Sequence, residues 1–443
     1  MEGIEFQYKF RYTGIFSLNY FVQGINQSIF ATVVPVYLIS LGPVDSAAIS
    51  FMLSFILVPF ILKLIYGILS DKIKFGKVGR RKPWIIGPAT FSGIMWLMIV
   101  LLLSGSALAP ISIFTYGGFL VILGVAMADT AMDGFILDIC PKELLGRTTG
   151  TVWAFRSVGI IIGGPLILLS LDYIPILVIF IGLGIITIIF SLVTLSIKHV
   201  PAVEKINLTA NLKEIFKKRE NWKVFGFSLF MAIVDGVIFV FLALYILIQL
   251  GFVEATGATL DLLEADISLY PPQAFITFLT GVGVLLGALV GGFIADKISR
   301  RINVFASLIV TTVALLILLI PVPTIISWIL FIFAIIVGSS SGWSNSAFSA
   351  VTSQYSQRYP EAPSSYYSIC TSFVNLGTQL GLVFTGIVFS NVSEVTTDFR
   401  VIYGTIFITM IFLSLIALIP FLFLKREYYE LGKKGAPQEL LKP

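Results

Sequence analysis

Twelve stretches of strongly apolar sequence follow one another along this chain, at approximately 14–40, 46–70, 83–105, 111–139, 147–170, 174–197, 223–250, 272–295, 302–321, 324–352, 364–390 and 401–424. A helix needs about 20 such residues to cross a bilayer's hydrocarbon. There, no water pairs with exposed backbone groups, so each stretch is expected to be a helix that satisfies its own N–H and C=O groups. Composition agrees: 57% of residues are hydrophobic and 12% charged, about half the charged share of a soluble chain. The fold class expected is an all-α membrane protein of twelve transmembrane helices.

An even number of spans puts both termini on one side, and the basic residues say which. Of 29 Lys and Arg, 26 fall before the first span, after the last, or in loops on the same side. Cytoplasmic loops hold the excess of Lys and Arg, so both termini are expected to be cytoplasmic, in a multi-pass protein of the cell membrane. The longest loop opposite, 251–271, carries Glu254, Asp261, Glu264 and Asp266 and no basic residue. The first span is too long for a signal-peptide core and is expected to act as its own targeting signal. Cys140 and Cys370 lie near cytoplasmic span ends and predict neither a disulfide nor a metal site.

Five ionisable residues interrupt the apolar stretches: Lys63, Asp129, Asp133, Arg156 and Asp235. Each would cost about 2.5–3.5 kcal/mol alone at a helix centre, and such residues characteristically face a bundle interior or a wet cavity. Helical rise places Lys63, Asp133 and Arg156 roughly 12–14 Å from the cytoplasmic boundary, with Asp129 one turn deeper and Asp235 about 18 Å deep. Asn19, Gln23, Asn26 and Gln27 add an uncharged polar stripe on one face of the first span. Trp343 and Asn345 lie in a polar run of the tenth. The set predicts a proton shared by Asp129 and Asp133, with Lys63, Arg156, Asp235, Asn19, Gln23, Asn26, Gln27, Trp343 and Asn345 as substrate-binding or charge-network residues. A static salt-bridge network that only fixes packing is the alternative.

The basic segment 198–222 divides the chain into an N-terminal six-helix bundle, 1–197, and a C-terminal one, 223–424, followed by a tail at 425–443. Its Asn211–Lys223 part reads as a short amphipathic surface helix. The halves repeat each other: Gly67-Ile-Leu-Ser-Asp71-Lys-Ile, followed by Arg80 and Arg81, matches Gly292-Phe-Ile-Ala-Asp296-Lys-Ile, followed by Arg300 and Arg301. Ser157-Val-Gly159 and Asn375-Leu-Gly377 form a weaker pair. Parallel repeats of this kind belong to rocking secondary transporters.

These motifs resemble those of the major facilitator superfamily, which implies two pseudo-symmetric six-helix bundles with helices one, four, seven and ten around a cavity. Lys63-Leu-Ile-Tyr-Gly67, Gly79-Arg-Arg-Lys-Pro-Trp84, Asp129-Thr-Ala-Met-Asp133-Gly134 and Ser365-Tyr-Tyr-Ser-Ile-Cys-Thr-Ser372 resemble the branch of muropeptide permeases, acetyl-CoA transporters and folate–biopterin transporters. Gly67 and Gly292 are expected to admit a neighbouring helix closely, and Asp71, Arg80, Arg81, Asp296, Arg300 and Arg301 to form cytoplasmic latches that break when the halves rock.

No Gly-x-x-x-x-Gly-Lys-(Ser/Thr) phosphate loop and no nucleophile–base or metal-ligand constellation occurs, so ATP-driven transport, enzymatic activity, a cofactor and a nucleic-acid partner are not expected. The function expected is secondary active transport of a small organic, polar or anionic solute by alternating access, coupled to H⁺, by a monomer. A non-transporting assembly factor or sensor of the same fold, or a drug/proton exporter, is the alternative.

Overall fold

The computed structural model describes residues 8–73, 79–197, 208–263, 268–323, 326–359 and 363–430; the side chains of 71–72, 137, 142–147, 149–150, 208–211, 296 and 363–364 lie outside the described set. The acidic members of both expected latches, Asp71 and Asp296, therefore lie outside it. Among the described residues, twelve helices are long and apolar enough to cross a membrane: Phe10–Ser40, Ser46–Ser70, Lys82–Gly105, Pro110–Ile136, Thr151–Ser170, Ile176–Ser196, Arg219–Gln249, Tyr270–Ala295, Arg300–Ile317, Ile329–Ser356, Ser365–Ser393 and Phe399–Leu422.

The tenth span starts later and ends later than the apolar window. Pro321 and Pro323 lie where the window opens, and proline lacks the N–H a helix interior needs. At the other end the helix continues through its Ser- and Thr-rich turns, with Thr352 Oγ1 donating to the Phe348 carbonyl at 2.9 Å. Helix ends follow backbone pairing, and hydropathy does not record it.

The chain forms two compact units: Met1–Pro35 with Phe55–Ile206, and Val36–Ser54 with Asn207–Pro443. In the first, the first span packs on the fifth and the third on the fourth and sixth. A Cβ at Gly159 would lie 2.0 Å from the Phe21 carbonyl oxygen, so glycine is what lets the first and fifth helices touch backbone to backbone. In the second unit the seventh span packs on the eleventh and the eighth on the tenth. Gly377 stands 2.0 Å, by the same measure, from the Leu229 carbonyl, so the Gly159/Gly377 repeat is also a repeat of packing.

The expected role of Gly67 and Gly292 is corrected. A Cβ at either would make ordinary contact at 3.6 Å, with Thr130 Cγ2 and Ser346 Oγ respectively. Neither is a point of close helix approach.

Three irregularities position the polar residues. The second span is broken by a 3-10 turn, Val58–Phe60, around Pro59, and Lys63 begins the helix Lys63–Lys72 that resumes beyond it. The first span passes through a π-helical stretch, Ile29–Val33, before Pro35. The seventh consists of two helices, Arg219–Met231 and Asp235–Gln249, so Asp235 opens the second of them.

Outside the spans, the second unit carries a feature absent from the sequence reading. The strands β1 (Val44–Asp45), β2 (Val253–Thr256) and β3 (Thr259–Leu262) form an antiparallel sheet in the order β1-β3-β2, with Gly257 at φ +65° in the β2–β3 turn. Part of the acidic 251–271 loop is therefore a hairpin. A short helix, Leu208–Lys217, precedes the seventh span, burying Leu212 and Ile215 while Lys213 and Glu214 stay exposed.

Candidate functional site

The first unit gathers four of the five membrane-embedded ionisable groups. Lys63 Nζ donates to Asp129 Oδ2, an ion pair whose carboxylate side chain is 3% exposed. The helix break at Pro59 sets Lys63 at the start of a fresh helical segment, from which its long stem reaches the fourth span. Removing both charges from water is unfavourable, and only their pairing compensates.

Asp133, one turn away on the fourth span, is exposed and accepts from the Tyr20 hydroxyl. Tyr20 neighbours Trp153, ring centroids 6.3 Å apart. The Trp153 ring in turn lies under the Arg156 guanidinium, 4.5 Å from Cζ to centroid, a cation–π contact. Arg156 Nη2 donates to Gln27 Oε1 at 2.7 Å, while its buried Nε has no partner. Among the described residues no carboxylate forms an ion pair with Arg156. Asp133, Tyr20, Trp153, Arg156 and Gln27 thus form one continuous polar and aromatic patch.

The polar stripe of the first span divides by neighbour. Asn19 Nδ2 donates to the carbonyls of Ile15 (2.9 Å) and Phe190 (3.3 Å), and Asn26 Nδ2 to Val22 O (2.8 Å) and Thr187 Oγ1 (3.3 Å). Asn26 Oδ1 also accepts from the buried Trp96 indole. These two asparagines tie the first helix to the third and sixth, as interhelical polar pairs do in apolar surroundings. Gln23 is buried with its amide nitrogen unpartnered. It lines a cavity of about 40 Å³ together with Asn19, Tyr20, Asn26, Asp129 and Thr187, large enough for water and polar enough to hold it.

The second unit holds the fifth group, in different company. Asp235 is 8% exposed. Its Oδ1 accepts from Ser341 Oγ at 2.7 Å and its Oδ2 from Asn345 Nδ2 at 3.4 Å. Trp343 turns away from this group and donates its indole N–H to Asn303 Oδ1 at 2.8 Å. Trp343 and Asn345, two residues apart in the polar run, therefore serve different neighbours.

The Major Facilitator Superfamily profile matches residues 16–265 and 256–442. The chain belongs to that superfamily. No curated protein sequence matches it significantly. Among solved structures it resembles a bacterial homologue of the human lysosomal transporter Spinster in an inward-facing and occupied conformation, at 16% identity and TM-score 0.63 over 94% of this chain and 97% of that one. It also resembles the nucleoside transporter NupG, at 14% identity and TM-score 0.67 over 92% and 98%. At these identities the likeness is one of fold. As a superfamily member the chain is a multi-pass membrane transporter and not an enzyme.

The arginines of the internal repeat are engaged inside each unit. In the first, Arg80 Nη2 and Arg81 Nε both donate to Asp138 Oδ2, at 2.7 and 2.9 Å, and Arg81 Nη1 reaches Ser70 Oγ at 2.8 Å. Gly134 makes the slot: a Cβ there would lie 2.5 Å from Arg81 Cζ. In the second, Arg300 Nη1 donates to Gln354 Oε1 (2.7 Å) and the Tyr429 carbonyl (2.8 Å). The Glu430 carboxylate accepts from the backbone N–H groups of Arg300 (3.1 Å) and Arg301 (3.0 Å), capping the ninth helix where a negative charge is favoured.

Sequence reasoning missed Asp138, Tyr20, Trp153, Ser341 and Glu430. Only Asp138 left a usable signal, as a third carboxylate in the fourth span shortly before Lys142.

Proposed function

We propose that this transporter moves a small organic anion by alternating access, that uptake of H⁺ drives it, and that Asp133 and Arg156 are the groups through which the two are linked. The observation that carries the reading is Arg156, a guanidinium on a membrane-spanning helix held by Gln27 and Trp153 with no ion-pair partner among the described carboxylates. Such a cation is stabilised when an anionic substrate arrives. Asp133 lies in the same unit, so a proton on its carboxyl removes the negative charge that competes with the substrate for the cation's field. Lys63 and Asp129 compensate each other and hold the second and fourth spans together.

The resemblance of the short motifs to those of the muropeptide, acetyl-CoA and folate–biopterin branch favours an acidic metabolite as substrate. The basic loops favour cytoplasmic termini in a cell-membrane protein, acting as a monomer. The Arg80–Arg81–Asp138 cluster supports a latch role for the cytoplasmic motif, with Asp138 as an acidic anchor.

Thermal-shift screening of the purified protein against peptides, amino sugars, nucleotides and organic acids tests the substrate class, since a ligand that binds the native state raises apparent stability. The stabilising compound should be an anion, and Arg156→Gln should weaken it roughly ten- to a hundredfold, the worth of one charge-assisted hydrogen bond of about 1.5–3 kcal/mol. The same compound should then enter proteoliposomes faster under an inward proton gradient, and Asp133→Asn should remove that acceleration. Stabilisation only by cations or neutral solutes, or an Arg156→Gln variant with unchanged affinity, overturns the reading.

A further inference from the structure

The seventh span breaks between Met231 and Asp235, and the break is packed against the eleventh span. Asp235 N–H donates to the Ala232 carbonyl at 3.1 Å, and Thr378 Oγ1 reaches the same oxygen at 3.4 Å. A Cβ on Gly236 would meet the Thr378 carbonyl oxygen at 2.8 Å. The eleventh span therefore clamps the chain on both sides of Asp235. Its carboxyl points toward Ser341 and Asn345 of the tenth span.

Those two partners are neutral. The helices packed against Asp235–Gln249 carry Tyr355 on the tenth span and Tyr366, Tyr367 and Cys370 on the eleventh, with Tyr270 at one end of the eighth and Asp296 and Lys297 at the other. Strand β2 carries Glu254. Among the described residues none of these forms an ion pair or hydrogen bond with Asp235, whose partners are Ser341 and Asn345. An ionised carboxylate offers about four lone-pair sites and draws charge-assisted N–H donors to roughly 2.7–2.9 Å. Asn345 stays at 3.4 Å, because its amide is also held by the Ser341 carbonyl at 3.1 Å. The pocket is under-supplied for a carboxylate and sufficient for a carboxylic acid.

Ser341 suits a group that changes protonation. A hydroxyl is both donor and acceptor and rotates to match its neighbour, so the 2.7 Å bond survives in either state: Ser341 donates to the carboxylate, and the carboxylic O–H donates to Ser341 Oγ. A metal cation fits less well, since hard cations are bound by several oxygens and Asn345 turns its amide N–H toward Asp235.

We propose that Asp235 is a proton-binding site of the second unit: one H⁺ from water adds to its carboxylate in the Ser341–Asn345 pocket, reversing the Ser341 hydrogen bond, and leaves by the same step backwards. This adds to the proton-coupled reading a group outside the first unit. Its test reads the carboxyl itself, so it stands or falls separately from transport through Asp133.

The experiment is infrared difference spectroscopy of the full-length protein, carrying isotope-labelled aspartate, in lipid nanodiscs between acidic and alkaline buffer. A protonated-carboxyl stretch should titrate in the wild type, vanish in Asp235→Asn, shift in frequency in Ser341→Ala, and persist in Asp133→Asn. It should not change when choline chloride is replaced by sodium chloride. A wild-type difference spectrum that neither Asp235→Asn nor Ser341→Ala alters overturns the proposal. A band abolished by sodium also overturns it, in favour of a cation site. Should Asp235→Asn fail to fold, the Ser341→Ala frequency shift decides alone.

Discussion

Asp129 and Asp235 are both buried carboxylates on membrane-spanning helices, one in each unit, yet Asp129 is locked to an ammonium while Asp235 meets a hydroxyl and an amide. The same side chain on a membrane-spanning helix is thus solved in two ways. A fixed counter-charge pairs the carboxylate and ties two helices together. Neutral donors leave its charge to be settled by whatever arrives, and the nearest mobile charge in water is a proton. The first arrangement suits a brace, the second a switch.

The largest effect that would break this comparison is expected at Lys63. Lys63→Met leaves Asp129 buried without its partner, and losing one member of a buried pair typically costs about 3–5 kcal/mol. The double variant Lys63→Met/Asp129→Leu should recover most of that loss, because an apolar pair of similar volume removes the desolvation problem for both. Thermal unfolding of the two variants in one detergent checks it. Equal melting temperatures for the single and double variants would mean that the ion pair braces nothing.

A smaller effect sharpens what the units do share. Gly159→Ala and Gly377→Ala each press a methyl to within 2.0 Å of a carbonyl oxygen on the facing helix. Each should cost about 1–3 kcal/mol through overpacking, by a similar amount. Gly67→Ala and Gly292→Ala, with 3.6 Å of clearance, should leave the melting temperature nearly unchanged. A loss at Gly159 without one at Gly377 would confine the repeat to sequence.

Those glycines mark what was legible beforehand. The spans and the internal repeat could be read because apolar length and small-residue spacing act locally along a helix. The membrane-embedded charges could be found but not partnered. Helical rise put Lys63 level with Asp133, whereas the structure pairs it with Asp129, because the Pro59 break re-aims the second span below Lys63 and rise along one helix carries no rotation between two. Trp343 and Asn345 show the same limit: two residues apart in sequence, they lie about 200° apart around the helix and face Asn303 and Asp235. The β2–β3 hairpin left a faint signal, Val-Glu-Ala-Thr and Thr-Leu-Asp-Leu around Gly257, hidden by its acidic composition. Glu430 caps the ninth helix across 129 to 131 residues of sequence, beyond any local pattern.

The smallest effect of removing a charge is expected at Asp235 itself, and it discriminates best between the two carboxylates. Asp235→Asn replaces a group that the pocket holds with two neutral hydrogen bonds by an amide of the same shape, whose oxygen still accepts from Ser341. If the native group is a carboxylic acid in the membrane, the exchange alters at most one ordinary hydrogen bond, and stability should move by no more than about 0.5–1.5 kcal/mol. Asp129→Asn removes the same single charge but strands the Lys63 ammonium, and should fall by about 3–5 kcal/mol. The measurement is a pair of melting curves at one pH, repeated in alkaline buffer. There the wild type must hold Asp235 ionised against two neutral donors, so it should lose stability while Asp235→Asn does not. A wild type and an Asp235→Asn variant that respond alike to alkali, or an Asp235→Asn loss as deep as that of Asp129→Asn, would place a counter-charge beside Asp235 and make the two units electrostatic copies of each other.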